Sequence, residues 1–361
     1  MTKILFETHH LYYWPNFIPI INELKSRKKY KIEVSMPKRP SDIEENILIK
    51  SCDSLGLSFI SGKTEQIRIN KIIKSAYKVI IVGNVGQLNK IAHPKAYAVM
   101  VYHGIGLKQS YYNDIDPRIN LRSVEAEERY RGLEKDGHSN LVLTGFTKLD
   151  RLYNLETVNI LKIKEEMELD EAKKNILYAP SFYPSSLEKI APELELLSKD
   201  YNIVIKLHGF SWEQKRYRYQ SKFCIDLDKR FNSIKLLPNT KYDIIPYYQI
   251  ADLLISDISS TLFEFLPLNR PIIQANCFSL RLKHRIFHRR FWKKMDIDRM
   301  LDLDFAYSIS DSSELYSRVQ FALDYPDEMS LIREKAMRDY LYKFDGRASF
   351  RLVNAIEQKI E

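Results

Sequence analysis

Short apolar runs alternate with longer amphipathic segments along most of the chain. Runs such as Leu253-Leu254-Ile255 and residues 78–82 have the length of buried strands, and the segments between such runs are long enough for helices. Strands that alternate with helices are typical of parallel sheets wrapped by helices. The pattern therefore predicts an α/β fold.

The alternation occurs twice. Strands are predicted over residues 3–6, 30–34, 78–82, 98–102 and 141–143, and again over residues 175–179, 203–206, 253–255 and 271–273. A charged helix over residues 158–174 is predicted between the two halves, and helices over residues 312–324, 327–341 and 347–360 are predicted to close the chain. We therefore expect two facing Rossmann-like domains, residues 1–160 and 161–361, with a central cleft and a helical C-terminal tail. The last helix is allowed to cross back to the first domain.

Composition agrees with two globular cores. The 361 residues exceed the usual size of one core, and the apolar runs are too short for a membrane span or a signal peptide. Cys52, Cys224 and Cys277 form no Cys-x-x-Cys or Cys/His pair, so reduced thiols in a cytosolic protein are expected. The net charge of +9 favours an anionic partner: a nucleic acid, an anionic lipid or a phosphorylated substrate.

Polar residues and glycines follow several predicted strands. Because ligands of parallel sheets bind where strands end, we expect a site at that edge of each sheet. The residues concerned are His9, His10, Gly83, Asn84, His103 and Gly104 in the first half, and Pro180, Ser181, Lys206 and His208 in the second.

A hydroxyl-rich turn follows the strand at residues 253–255. Ser256-Asp257 end the strand and Ser259-Ser260-Thr261 open a short helix, an arrangement whose free N–H groups suit a phosphate. An ordinary serine N-cap without a ligand explains the same residues. Glu264, one turn further on, has the reach to accept hydrogen bonds from a ribose diol, or it is simply exposed.

An unperturbed imidazole has a pKa near working pH, so His103 could act as general base for an attacking hydroxyl. The alternative is a histidine bonded to a loop carbonyl. His208 and Lys206 suit donation to a pyrophosphate, although the Lys206 amine is equally consistent with solvent exposure. Lys108 follows a glycine-bearing turn from which it can reach a phosphate.

Residues 281–294 are strongly basic, with Ile286, Phe287, Phe291 and Trp292 interleaved. This composition fits an anionic membrane surface, with the apolar side down. It also fits nucleic-acid phosphates, or a basic helix that packs on its own domain.

Five segments resemble, in order, motifs of one family over about residues 98–275. They are Tyr102-His103-Gly104 with Leu107-Lys108, residues 144–152, residues 176–181, Lys206-Leu207-His208, and Ser256-Asp257-Ile258-Ser259-Ser260 with Phe263-Glu264-Phe265 and Arg270-Pro271. The family is that of the CDP-glycerol glycerophosphotransferases, which includes the enzymes that prime and polymerise teichoic acids.

The resemblance implies a GT-B fold and transfer of a polyol phosphate from a CDP-activated donor, with release of CMP. On that model the first domain serves the acceptor, with His103 as base and His10, Gly104 and Lys108 contacting acceptor or phosphate. The second domain serves the donor, with His208 also in the catalytic set. Its implied donor contacts are Lys206, Pro180, Ser181, Asp257, Ser259, Ser260 and Glu264. No carboxylate cluster suggests a metal, and no cofactor is expected.

The implied partners are CDP-glycerol or a related CDP-polyol, a lipid-linked or polymer acceptor, and the inner face of the cell membrane. No nucleic-acid partner is expected, and self-association into a homo-oligomer is left open. Several motif positions depart from the family: Thr147-Lys148 replace Pro-Arg, Phe182-Tyr183 replace Trp-Arg, and Glu264 replaces Asp. CDP-ribitol or a nucleotide sugar therefore remains open as donor. A nucleotide-sugar glycosyltransferase or epimerase is one alternative function, and a non-catalytic nucleic-acid binder using residues 281–294 is another.

Overall fold

The computed structural model describes residues 1–39, 41–105, 116–153, 160–287, 289, 291–292 and 300–360. These residues divide into two compact units. The first contains residues 1–105, 116–153 and 339–360, and the second contains the described residues between 160 and 338. The domain boundary predicted at residue 160 falls at the first residue of the helix Ile160–Glu166.

The first unit is built on a seven-stranded sheet in which all pairs are parallel. The strand order is β3-β2-β1-β4-β5-β6-β7. The strands are β1 Thr2–Glu7, β2 Tyr30–Ser35, β3 Ser58–Ile60, β4 Val79–Val82, β5 Tyr97–Val101, β6 Leu121–Val124 and β7 Leu141–Leu143. The central strands β1, β4 and β5 are almost wholly buried because helices cover the sheet.

The second unit is built on a six-stranded parallel sheet of order β10-β9-β8-β11-β12-β13. Its strands are β8 Asn175–Ala179, β9 Asn202–Ile205, β10 Ile234–Leu236, β11 Leu253–Ser256, β12 Ile272–Ala275 and β13 Tyr307–Ile309. The strand order changes direction between β8 and β11, so this sheet has its topological switch point there.

Helices connect the strands in both units. Those of the first unit are Trp14–Ser26, Ile43–Ser54, Glu65–Ser75, Leu88–Ile91, Glu127–Lys135, Asp150–Tyr153 and Ala348–Ile360. The other helices of the described residues are Ile160–Glu166, Leu187–Leu197, Gly209–Glu213, Arg218–Arg230, Ile245–Ile250, Thr261–Glu264, Leu282–Ile286, Leu315–Asp324 and Ser330–Tyr340. Short 3-10 turns lie at Leu11–Tyr13, Thr147–Leu149, Leu266–Leu268 and Ser312–Glu314.

Asp150 ties the C-terminal helix to the first unit. Its carboxylate accepts the N–H groups of Ala348 and Ser349 at 2.9 and 2.8 Å, so it caps the helix Ala348–Ile360. Gly145, just before it, adopts φ 88°, a conformation that favours glycine. The segment of residues 144–152, which resembles a family motif, thus contacts the C-terminal helix of this unit through Asp150.

The charged helix predicted over residues 158–174 is wrong in its extent. Within the described residues, helix runs only over Ile160–Glu166. Glu168 then adopts a left-handed φ of 51°, and the N–H of Leu169 bonds to the carbonyl of Lys164 at 3.1 Å. A left-handed residue with such a bond ends a helix, and charge periodicity does not reveal it.

Four short strands escape the hydrophobic pattern. Three of them, β3, β10 and β13, are edge strands of three residues each. The fourth, β6, carries Arg122 inside the sheet, and this arginine is only 1% exposed. A buried arginine interrupts the apolar run by which a strand is recognised.

Candidate functional site

The predicted strand-end residues of the first unit lie after neighbouring strands. β1 precedes His9 and His10, β4 precedes Gly83 and Asn84, and β5 precedes His103 by two residues. The strands are adjacent in the order β1-β4-β5 and all are parallel. The structure therefore brings these residues to one edge of the sheet.

Aromatic rings from the loop after β1 hold the His103 imidazole. The ring centroids of Tyr12 and Tyr13 lie 4.8 and 4.5 Å from that of His103. Asn84 Nδ2 donates to the Tyr13 hydroxyl at 2.8 Å. A Cβ on Gly83 would lie 2.0 Å from Tyr13 Cδ1, so only glycine leaves room for this ring. The packing fixes the orientation of His103.

Tyr102, the residue before His103, is held by two buried arginines. Arg122 Nη1 donates to the Tyr102 hydroxyl at 3.0 Å, and the Arg129 guanidinium lies 3.9 Å from the centroid of the Tyr102 ring. Arg129 is itself paired with Glu125, with Nη1 to carboxylate distances of 2.7 and 2.9 Å. All four side chains are buried. These contacts hold Tyr102 in place, and with it the backbone that leads into His103.

Arg39 and Glu44 join His9 and His10 at the same edge. Arg39 donates to the His9 carbonyl and approaches His10 Nδ1 at 2.6 Å, while Glu44 Oε2 lies 3.3 Å from each of His10 Nδ1 and Arg39 Nη1. His9 is buried, and its Nε2 accepts the N–H of Gln87 at 3.3 Å. Burial, together with the charges of His10, Arg39 and Arg68, lowers the pKa of His9 to about 4.

In the second unit, Asp257 organises the turn after β8. Its carboxylate is 0% exposed and accepts the N–H of Ser181 at 2.7 Å and both the N–H and the hydroxyl of Ser186 at 3.0 Å. Burial raises the pKa of Asp257, and the hydrogen bonds from Ser186 and Ser181 oppose that rise. Asp257 therefore joins the ends of β8 and β11, which flank the switch point.

Glu264 supports the serine turn from inside. It is 1% exposed, and its two oxygens accept the hydroxyls of Ser260 at 2.9 Å and Tyr248 at 3.0 Å. The alternative that Glu264 is exposed on the surface is therefore wrong. Ser259 and Ser260 themselves are half-buried, and Ser259 Oγ accepts the N–H of Thr261 at 3.3 Å.

His208 stands at the start of the helix Gly209–Glu213. Its Nδ1 accepts the N–H of Phe210 at 3.1 Å, so the neutral ring carries its proton on Nε2 and can donate from there. Lys206 Nζ donates to the carbonyl of Leu207 at 3.1 Å. Since β9 pairs with β8, these residues share the edge that carries Pro180 and Ser181.

The basic stretch is partly packed and partly exposed. The His284 ring stacks on Phe291 with centroids 4.2 Å apart, and Phe278 contacts Trp292 at 5.7 Å. Leu282, Ile286 and Phe287 are 72, 64 and 59% exposed. Phe291 and Trp292 thus pack on their own unit, as expected for a basic helix that packs on its own domain. Three apolar side chains nevertheless remain in solvent.

The direct substrate contacts expected of the site residues stay predictions. Lys108, His288, Arg290, Lys293 and Lys294 lie outside the described residues, and Gly104 is buried next to His103. Motif reasoning missed Arg39, Glu44 and the tyrosine packing around His103. The aromatic loop after β1 was the available signal for the last of these.

A family model decides what the chain is related to. The model of the CDP-glycerol:poly(glycerophosphate) glycerophosphotransferases matches residues 123–358. The chain belongs to this family. The match includes Ser181, His208 and the serine turn, whereas His103 lies before its first residue.

Curated relatives agree with this membership. A teichoic acid glycerol-phosphate primase of Bacillus subtilis is 28% identical over 209 residues, which cover 56% of this chain and 48% of the primase. A teichoic acid poly(glycerol phosphate) polymerase of Bacillus spizizenii is 30% identical over 210 residues, covering 48% of this chain and 50% of the polymerase. The chain thus spans about half the length of the curated relatives it matches.

Solved structures confirm the predicted α/β fold of the GT-B type. The wall teichoic acid polymerase TagF superposes with a TM-score of 0.68 at 16% identity, covering 99% of this chain and 89% of that one. A UDP-GlcNAc 2-epimerase from Neisseria meningitidis gives 0.63 at 15% identity, covering 99% and 100%. At such identities these likenesses show the fold alone. In the described part of the chain, no helix has the length and apolar character needed to cross a membrane.

His9 gives the first unit a testable pH dependence. Its pKa is about 4 in the fold against an ordinary value of 6.5, so between these values the unfolded chain binds more protons. The stability that the fold has with a neutral His9 is present above about pH 6.5 and is lost as the pH falls towards 4. The wild-type protein should lose unfolding free energy between pH 7 and 4. We predict that this loss is smaller in His9→Gln by roughly 1–3 kcal/mol.

Urea unfolding at a series of pH values, followed by circular dichroism, measures this difference. His93→Gln is the matched control, because His93 is an exposed histidine of the same unit and its substitution should leave the pH dependence unchanged. Parallel pH profiles for wild type and His9→Gln would contradict a neutral, buried His9.

Proposed function

We propose that this protein transfers glycerol phosphate from CDP-glycerol to a hydroxyl of a lipid-linked or polymer acceptor and releases CMP. The family match over residues 123–358 is the observation that carries the proposal. The relatives named as teichoic acid primase and polymerases, and a TagF structure soaked with CDPG, support the same donor and the same class of product. The product would be a cell-surface polymer of the teichoic acid or capsule type.

The chemistry is a substitution at the donor's β-phosphorus. The acceptor hydroxyl gives its proton to His103 as its oxygen forms a bond to that phosphorus. The bond between the phosphorus and the bridging oxygen then breaks, and CMP leaves with the electron pair. The fixed orientation of the imidazole against the rings of Tyr12 and Tyr13 supports this role, since a general base must be held within reach of the proton that it takes.

The second unit supplies donors for the pyrophosphate. His208 offers Nε2–H, because its Nδ1 is engaged by Phe210. The Ser260 hydroxyl hydrogen goes to Glu264, so Ser260 contributes through its backbone N–H, while Ser259 retains a hydroxyl hydrogen for the ligand. Charge that develops on the leaving CMP is stabilised by such fixed donors.

The buried carboxylates act in this scheme through other residues. Asp257 and Glu264 are 0 and 1% exposed, and each is already engaged inside the unit. We therefore assign them the positioning of Ser181 and Ser260 in place of the direct donor contacts expected from the motif. Pro180 and Lys206 remain donor-side residues at the same sheet edge.

Membrane attachment at the inner face of the cell membrane belongs to the same proposal. Leu282, Ile286 and Phe287 are exposed beside Lys283, Arg285 and Arg289, a composition that suits the interface of an anionic bilayer. A lipid-linked acceptor would be reached from that surface.

We predict that His103→Ala lowers CMP release from CDP-glycerol in the presence of acceptor by about 10²–10⁴-fold, the usual contribution of a general base. His93→Ala, an exposed histidine of the same unit, should retain wild-type turnover. Full CMP release by His103→Ala would refute the assignment of the base. The same assay with CDP-ribitol and UDP-sugars identifies the donor.

We predict that the double substitution Ile286→Ser and Phe287→Ser weakens binding to vesicles that contain phosphatidylglycerol by roughly ten-fold or more, because each buried apolar side chain contributes about 1.5–3 kcal/mol. Vesicle co-sedimentation measures the bound fraction. Leu331→Ser is the control, since Leu331 is 78% exposed in the same unit but lies outside the basic stretch of residues 281–294. Equal sedimentation of both variants and wild type would exclude this surface.

A further inference from the structure

The turn after β8 carries no basic side chain of its own between Ser181 and Ser186. The structure supplies one from a distant part of the chain. The backbone N–H of Arg281 donates to the Tyr183 hydroxyl at 3.2 Å, and the same hydroxyl lies 2.5 Å from His284 Nδ1. Ser279 also pairs with Ser185 as an isolated antiparallel bridge. Three contacts therefore attach the start of the basic stretch to the turn.

The Arg281 side chain is held by aromatic faces. Its guanidinium carbon lies 4.4 Å from the Tyr183 ring centroid and 5.1 Å from that of Tyr217. These two rings are themselves stacked, with centroids 6.2 Å apart and planes inclined by 27°. A guanidinium that stacks in this way has its planar face covered while its edge N–H donors stay available. Arg281 is exposed, so a ligand in solvent can reach those donors.

Arg281 is close to the donor-side residues along a chain of ring contacts. Phe182 lies between the two groups: its centroid is 4.8 Å from that of His208 and 5.2 Å from that of Tyr217. The aromatic group thus extends from the end of β9 to the guanidinium within one unit.

We propose that Arg281, stacked on Tyr183 and Tyr217, is a phosphate-binding residue of the substrate site, and that the basic stretch is not uniformly a membrane surface. The inference rests on the proposed function. The ligand is a phosphate ester, either the donor's pyrophosphate or the phosphate of the acceptor polyol. Arginine suits this role because its fork of donors matches two phosphate oxygens, and the stacking orders that fork in advance of binding.

The test compares Arg281→Gln with Arg230→Gln, an exposed arginine of the same unit whose guanidinium carbon lies 5.0 Å from the Phe231 ring centroid. Steady-state CMP release is measured while CDP-glycerol and a soluble acceptor are varied separately. We expect Arg281→Gln to raise KM at least roughly ten-fold for one substrate, the usual scale of a lost charge-assisted bond. The substrate affected identifies the phosphate. Arg230→Gln should match wild type.

The stacking geometry is tested by conservative variants. Arg281→Lys keeps the charge but lacks the planar fork, so it should recover only part of the lost affinity. Tyr183→Phe keeps the ring under the guanidinium but loses the hydroxyl contacts with Arg281 and His284. Its effect on KM should therefore be smaller than that of Tyr183→Leu, which should reproduce the effect of Arg281→Gln. A KM for Arg281→Lys equal to that of wild type would mean that a positive charge alone suffices at position 281, and this result would overturn the proposal.

Binding measurements separate this inference from the proposed function. Calorimetric titration with inorganic pyrophosphate and with glycerol 3-phosphate needs no turnover, and at least one of them should bind Arg281→Gln more weakly than Arg230→Gln. Equal affinities of wild type and Arg281→Gln for both probes overturn the inference even if the enzyme is active. So does a KM effect that vanishes with a soluble acceptor and tracks vesicle binding, since that identifies a lipid contact. Absence of CMP release by wild type would instead refute the proposed function.

Discussion

Parallel strand pairing is the constraint on which the described sites depend. Each sheet pairs all its strands in one direction, so residues that follow different strands reach the same edge although they are far apart in the chain. His10 and His103 both contact the Tyr12 ring in this way. Ser181, His208 and Asp257 do so at the switch point of the second sheet. No single local motif contains either group, because the sheet assembles each from several segments of the chain.

Burial divides the polar residues of these edges into two kinds. Asp257, Glu264 and Tyr102 lie almost out of solvent and use their hydrogen-bonding capacity on protein partners. A buried polar group without such partners would cost about 1–3 kcal/mol, so these groups are expected to be engaged inside the fold. His103 and His208 are only half-buried, with rings oriented by aromatic neighbours. Inner residues fix the geometry, and outer residues are available for chemistry.

Hydrophobic periodicity predicted the central strands and the edge at which functional residues gather, because buried parallel strands are continuous apolar runs. It missed the edge strand β3 and the arginine-bearing β6, which lack such runs. Motif resemblance found His208 and the serine turn, since those motifs are local. The stacking of Arg281 on Tyr183 joins residues about a hundred positions apart through a loop, and no periodicity encodes such a contact. Burial of Glu264 was equally invisible, because a carboxylate in a sequence carries no sign of the tyrosine hydroxyl that donates to it in the fold.

The central claim is that a family fold with these two sheet edges moves a phosphate-bearing group from a CDP-activated donor. The most direct measurement uses CDP-glycerol labelled with ³²P at the β-phosphate, incubated with the protein and a glycerol-phosphate-primed acceptor. The account predicts that the label appears in the acceptor and that unlabelled CMP is released in equal amount. Label retained in released CDP, with glycerol alone transferred or hydrolysed, would contradict it.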